Sequence, residues 1–204
     1  MRLYGDCYLR LPQEHLELLV TLPLVQFSCR ALLQETKTKA SKMSKTEDSD
    51  GGCELAWYKG SQFSPNAALV HTDFLGLMQK INDFASSCDV KVYVTSSFRK
   101  PGQVITGAIV EPDKRSNHYV GHAIDMNVWD ENGKLCNSKC LRHSLNQHPD
   151  VQCFIEKVRN DPDLRWGGDF TPKDEVHIDD GINCRKPSVY DKLYNTLHKH
   201  SPDV

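Results

Sequence analysis

Apolar and polar positions alternate along this chain in stretches of clear period. Residues 72–85 (TDFLGLMQKINDFA) set Phe74, Leu75, Leu77, Met78, Ile81 and Phe84 at mostly helical spacing, which predicts a helix capped by Thr72 or Asp73. Residues 90–96 (VKVYVTS) alternate and are rich in β-branched side chains, so they predict a strand, and residues 123–129 (AIDMNVW) alternate in the same way. Residues 151–158 (VQCFIEKV) return to helical spacing and run into a turn at Asp161-Pro162. A short strand is expected over 175–178 and a closing helix over 188–198 (SVYDKLYNTLH). The order helix, strand, strand, helix, strand, helix predicts an α+β domain, with a small, mostly antiparallel sheet flanked by helices.

The first fifty residues follow another pattern. Residues 16–25 (LELLVTLPLV) form the most apolar stretch and are similar to the hydrophobic region of a signal peptide, with small residues following at Ser28 and Ala31. Glu17 and Pro23 interrupt that stretch and a long segment precedes it, which leaves an amphipathic helix as the alternative. Residues 35–52 have Met43 as their only large apolar side chain and cannot bury enough surface to offset the entropy of ordering. The expected organisation is a signal or leader segment over 1–34, a polar linker over 35–52 and the compact domain over 53–204. No apolar run approaches the ~18 residues of a transmembrane helix, so no transmembrane segment is expected.

Composition narrows the partners. The 204 residues carry 25 Lys+Arg against 27 Asp+Glu, a net charge of -2, with no basic excess to draw the chain to nucleic acid. The eight cysteines contain no C-x-x-C pair, which argues against a zinc ribbon or a thioredoxin-like motif. Six lie from Cys53 onward, enough for three disulfides in an oxidising compartment; buried thiols of a cytoplasmic protein are the alternative. Cys136 and Cys140, with three residues between them in a polar stretch, suit a local disulfide loop.

Two segments hold residues that fit poorly with packing alone. In SNHYVGHAID (116–125), Asp125 lies between Ile124 and Met126 on an apolar strand, where a buried carboxylate needs a partner or a metal. In RWGGDFTPKDEVHID (165–179), Asp174 and His177 form D-x-x-H. A catalytic zinc needs three protein ligands and an open position, with a carboxylate beside the bound water. His118, Asp125 and His177 supply that ligand set, and Asp174 is the spare carboxylate. Glu175 is the fallback base, although in an extended segment it faces away from His177. Asp179, two residues after His177, shares its face and is a candidate to orient it. His122 is read as a cleft wall or an exposed residue, and His143, His148, His198 and His200 as solvated or loop residues. The competing reading is a solvated Asp125, an ordinary loop His118 and a structural domain without metal.

Together these motifs resemble a known superfamily. S-x-H-x-x-G-x-A-x-D (Ser116, His118, Gly121, Ala123, Asp125), RWGGDF and D-x-x-H-I look like the zinc D-alanyl-D-alanine carboxypeptidases and L-alanyl-D-glutamate endopeptidases, the cell-wall peptidase family related to the Hedgehog signalling domain. The resemblance spans roughly residues 57–197. It implies zinc on His118, Asp125 and His177 in a cleft on the sheet, with Asp174 as the acid/base. It also implies substrate contacts from Arg99, Ser116 and Trp166, with packing the alternative for Trp166. Arg99 ends the stretch VTSSFR, where Ser97 and Phe98 replace the Gly and Tyr usual in the family, and its guanidinium suits a carboxylate or a developing oxyanion. The implied function is zinc-dependent hydrolysis of peptidoglycan-type stem peptides by a secreted monomer. RWGGDF and the aspartate-type D-x-x-H favour the endopeptidase branch over the carboxypeptidase branch. The alternative is a Hedgehog-like module that keeps zinc and serves in partner recognition.

Overall fold

The computed structural model describes residues 55–103, 113–143 and 147–198. The expected leader (1–34), the linker (35–52) and the domain onset at Cys53 lie outside the described residues, as does His200.

The architecture is α+β. A two-stranded antiparallel hairpin pairs β1 (Leu55–Tyr58) with β2 (Ala68–His71). Helix α1 (Leu75–Ser87) leads to β3 (Lys91–Ser96), and β4 (Ala123–Trp129) pairs antiparallel with it. A short β5 (Leu135–Cys136), α2 (Ser138–Arg142) and α3 (Pro149–Asn160) follow. The chain closes with β6 (Arg165–Trp166), β7 (His177–Asp179), α4 (Ile182–Arg185) and α5 (Pro187–His198). The main sheet runs β3-β4-β7-β6, with β5 on the far end of β4 and every strand pair antiparallel.

Alternation in β4 separates a core face from a site face. Ile124, Met126 and Val128 are buried, together with Val92 and Val94 of β3, whereas Asp125 and Asn127 point to the other side. Met78, Ile81 and Ala85 of α1 and Val151, Phe154, Ile155 and Val158 of α3 complete the main core. Full burial of such side chains contributes about 1.5–3 kcal/mol each. Disulfides join Cys88, just past α1, to Cys153 in α3, and Cys136 to Cys140; Cys184 is disulfide-bonded as well. A second cluster of Val120, Ile182, Tyr190 and Leu193 seats α5 beside the turn that carries His118.

Element boundaries differ from the sequence pattern where polar side chains and turns intervene. The helix begins at Leu75, after a 3-10 turn over Thr72–Phe74, and the cap comes from His71, whose Nδ1 accepts from the Asp73 amide at 3.1 Å, not from Thr72 or Asp73. Helix α3 starts at Pro149, whose fixed φ suits the first helical position. The last strand is displaced to 177–179 because the His177 amide donates to the Asp174 carbonyl at 3.0 Å and closes a turn over 174–177.

Candidate metal centre

Three elements converge on the face of the sheet opposite α1 and α3. Antiparallel pairing sets Asp125 of β4 directly across from His177 of β7, and Ala123 across from Asp179. Side chains opposite each other in such a pair share one face, so Asp125 and His177 meet as a consequence of register. His118 arrives from the 3-10 turn Asn117–Val120, which ends at Gly121 with φ +71. A Cβ at Gly121 would lie 2.6 Å from the His71 amide nitrogen, so both the conformation and the close approach require glycine.

The three side chains present one atom each. His118 Nε2, His177 Nδ1 and Asp125 Oδ1 lie 3.1 Å from one another on all three edges. Four-coordinate zinc, with ligands at about 2.0–2.1 Å, sets donor–donor edges of roughly 3.3 Å, so the triangle fits three corners of such a site. The outer ring nitrogens fix which atoms face inward. His118 Nδ1 lies 2.7 Å from the Ser97 carbonyl, which can only accept, so Nδ1 carries the hydrogen and the Nε2 lone pair faces the cluster. His177 Nε2 lies 3.0 Å from Asp179 Oδ2, leaving Nδ1 to face inward. Carbonyl and carboxylate partners of this kind orient metal-binding imidazoles.

The electrostatics favour a cation at the centre. Burial would raise the Asp125 carboxyl, but His118 and His177 outweigh it and hold the group well below the usual carboxylate range. Burial lowers the His118 imidazole, against the pull of Asp125. Burial acts the same way on His177, yet hydrogen bonds to Asp125 and Asp179 prevail and push it up to about 10. A pocket that holds a carboxylate ionised and a proton on one imidazole is one that a divalent metal can enter by displacing that proton.

The other residues singled out in the sequence fall at different distances from this centre. Arg99, just beyond β3, sets Nη1 3.6 Å from Asp125 Oδ2, while its amide donates to the His118 carbonyl at 3.1 Å and its buried Nε has no hydrogen-bond partner. Asp174 is half-buried and feels the charges of His177, Asp125 and Arg99. Burial raises its carboxyl above the ordinary range, with Asp125 and Glu175 adding to the rise and His177 and Arg99 opposing it. Ser116 is buried at the start of the His118 turn, and its carbonyl accepts from Tyr190 Oη at 3.1 Å. Trp166 lies in the main core and donates Nε1–H to the Glu175 carbonyl at 2.8 Å, a packing position.

Glu175, the fallback base, is 1% exposed and is gripped at 2.8 and 3.3 Å by the Arg142 guanidinium, away from the three-atom triangle. His122, expected on a cleft wall or exposed, is buried; its Nδ1 lies 2.7 Å from Asp180 Oδ2 and its ring stacks on His71. His198, expected in solvent or a loop, ends α5 with its ring stacked on Phe98 and Nε2 2.8 Å from the Tyr119 carbonyl. Sequence reasoning passed over Asn117, Arg165 and the Ser97 carbonyl. Asn117 and Arg165 stand in the two motifs, but nothing in their spacing shows that both aim at Asp179.

Residues 110–180 match the family model for D-alanyl-D-alanine carboxypeptidase. That stretch contains His118, Asp125, Asp174 and His177 but not Arg99. The match bears out the resemblance read from the motifs and supports a peptidase of this kind. Among curated proteins, none matches the chain.

Proposed function

We propose that this chain, a relative of the D-alanyl-D-alanine carboxypeptidases across residues 110–180, is a zinc-dependent metallopeptidase acting on peptidoglycan-type stem peptides. The observation that carries the reading is the triangle of His118 Nε2, Asp125 Oδ1 and His177 Nδ1 at 3.1 Å edges, with the outer nitrogen of each imidazole already engaged. Zinc held there would supply a bound water acidic enough to ionise near neutral pH and a Lewis acid for the scissile carbonyl.

The protein's own groups divide the remaining work. Asp174, with a carboxyl raised by burial, accepts the proton of the attacking water and returns it to the departing amine. Arg99, beside Asp125, offers its guanidinium to the oxyanion that develops on the substrate carbonyl, or to a substrate carboxylate. The aspartate-type D-x-x-H and RWGGDF favour an endopeptidase over a carboxypeptidase. Disulfides at Cys88–Cys153 and Cys136–Cys140 support a secreted protein, and among the described residues no helix is long and apolar enough to cross a membrane.

The test is digestion of purified stem peptides by the full chain with zinc, with chelator and as Asp174→Ala. Cleavage that needs both zinc and Asp174 is expected, and the product masses identify the bond. An intact, zinc-loaded protein that cleaves nothing would overturn the peptidase reading in favour of a Hedgehog-like binding module.

A further inference from the structure

Asp179 is the most heavily engaged carboxylate near the site, and its strongest partner is Arg165. The two residues face each other across the β6–β7 pair. Arg165 Nε donates to Oδ1 at 2.7 Å and Nη2 to Oδ2 at 2.8 Å, a two-pronged grip in which one planar group fixes the plane of the other. Asn117 Nδ2 adds a bond to Oδ2 at 2.7 Å and the Gly181 amide one to Oδ1 at 3.0 Å. The carboxylate so held receives His177 Nε2 at 3.0 Å.

The surroundings are shaped for this guanidinium. Gly181 has φ +69, and a Cβ there would lie 2.8 Å from Arg165 Nε. The guanidinium carbon also lies 5.0 Å from the centre of the Phe170 ring, and that ring sits 5.8 Å from the His177 imidazole. Arg165 therefore bears on His177 along two routes, through Asp179 and through Phe170.

We propose that Arg165 is a positioning residue of the metal site. Its fork holds Asp179 in the plane that turns His177 Nδ1 toward Asp125 and His118, and it thereby sets zinc affinity without touching the metal. A lysine ammonium keeps the charge but cannot hold two oxygens in one plane. The inference rests on the metal reading above.

The experiment measures zinc dissociation constants of the full chain by competition with a chromophoric chelator. Wild type is compared with Arg165→Lys, Arg165→Gln, Asp179→Asn and the Arg165→Gln/Asp179→Asn double variant, with thermal unfolding of each metal-free protein alongside. Both Arg165 variants should bind zinc about 10–100-fold more weakly, the range for lost outer partners of metal ligands. In the Asp179→Asn background, Arg165→Gln should add much less, because most of its effect passes through that carboxylate. A folded Arg165→Lys or Arg165→Gln that binds zinc as wild type does would overturn the proposal, as would an equal loss with and without Asp179. Should Arg165→Gln fail to fold, Arg165→Lys decides alone. A wild-type chain that binds no zinc sinks the metal reading, and the positioning role with it.

Discussion

His118 and His177 approach each other through different ring nitrogens, Nε2 of one and Nδ1 of the other, 3.1 Å apart. The asymmetry follows from where each chain segment lies. His118 stands in a turn whose ring reaches back to the Ser97 carbonyl through Nδ1, whereas His177 stands in a strand whose neighbour two residues on, Asp179, takes Nε2. Each imidazole is thus oriented by its outer bond, and the inner nitrogens converge on Asp125 Oδ1.

Loss of one corner of the triangle should abolish tight metal binding. His118→Ala, Asp125→Ala or His177→Ala leaves two of the three protein ligands that a catalytic zinc requires. Each variant should purify without stoichiometric zinc, and peptide cleavage should fall to background even with added metal. Elemental analysis of the purified variants checks this. Zinc retained in all three would mean that the metal sits elsewhere.

Asp174 should be separable from metal binding. Asp174→Asn removes the proton acceptor but none of the ligand atoms, so cleavage should drop by about 10²–10⁴-fold, the usual worth of a general acid–base group, with zinc affinity little changed. The pH profile carries the sign. Burial raises the Asp174 carboxyl, so the base form is lost at a higher pH than the ~3.9 of an ordinary aspartate. The rate should fall as pH drops through that raised value, and the acid limb of kcat/KM should lie above the ordinary aspartate range. An acid limb at or below about 4 would exclude Asp174 as the base.

What the sequence shows of this site and what it hides divide along the difference between local and long-range structure. His118, Gly121 and Asp125 stand within eight residues, and Asp174 and His177 within four, so each motif could be read as a local unit. Bringing the two together depends on the β4–β7 register, a long-range pairing that no local spacing specifies. The paired alternation of 90–96 and 123–129 was enough for the two longest strands, β3 and β4. The hairpin strands β1 and β2 were not legible, because four residues (LAWY, ALVH) hold too few alternations to exceed chance. The Arg142–Glu175 pair was hidden for a similar reason: 33 residues separate its members. His122 was misread because a histidine one residue past a turn glycine carries no sign that Asp180, just beyond the other motif, will close over it.

Gly167 should tolerate no side chain. An added Cβ would run into the Asp174 carbonyl oxygen and lie 2.9 Å from His177 Cβ, both within the turn that presents Asp174 and His177. The Gly167 carbonyl in turn accepts from the Asp174 amide at 2.8 Å. Gly167→Ala should destabilise the domain by about 1–3 kcal/mol, the usual penalty for overpacking, and should lower activity further by displacing Asp174 and His177. Denaturant unfolding and kcat/KM measured together check this. A variant of wild-type stability and activity would show that the 166–170 turn is free to move away.

The two described disulfides should differ in worth by their loops. Cys88–Cys153 closes 65 residues of chain, and that loop contains β3, β4, His118 and Asp125; Cys136–Cys140 closes 4. On the chain-entropy account, the long loop restricts the unfolded state by about 4 kcal/mol and the short one by about 2. The long bridge also ties the end of α1 to α3, the two helices that cover the core face of the sheet, so its loss frees the layer beneath Asp125 and His177. Cys88→Ser/Cys153→Ser should therefore lower unfolding free energy more than Cys136→Ser/Cys140→Ser, measured by denaturant titration of the metal-free chain. Zinc should recover part of the loss in the first variant, because a ligand that binds only the folded state stabilises it by mass action. Equal losses in the two variants would mean that native-state packing around the sulfurs, rather than loop closure, sets the contribution of each bridge.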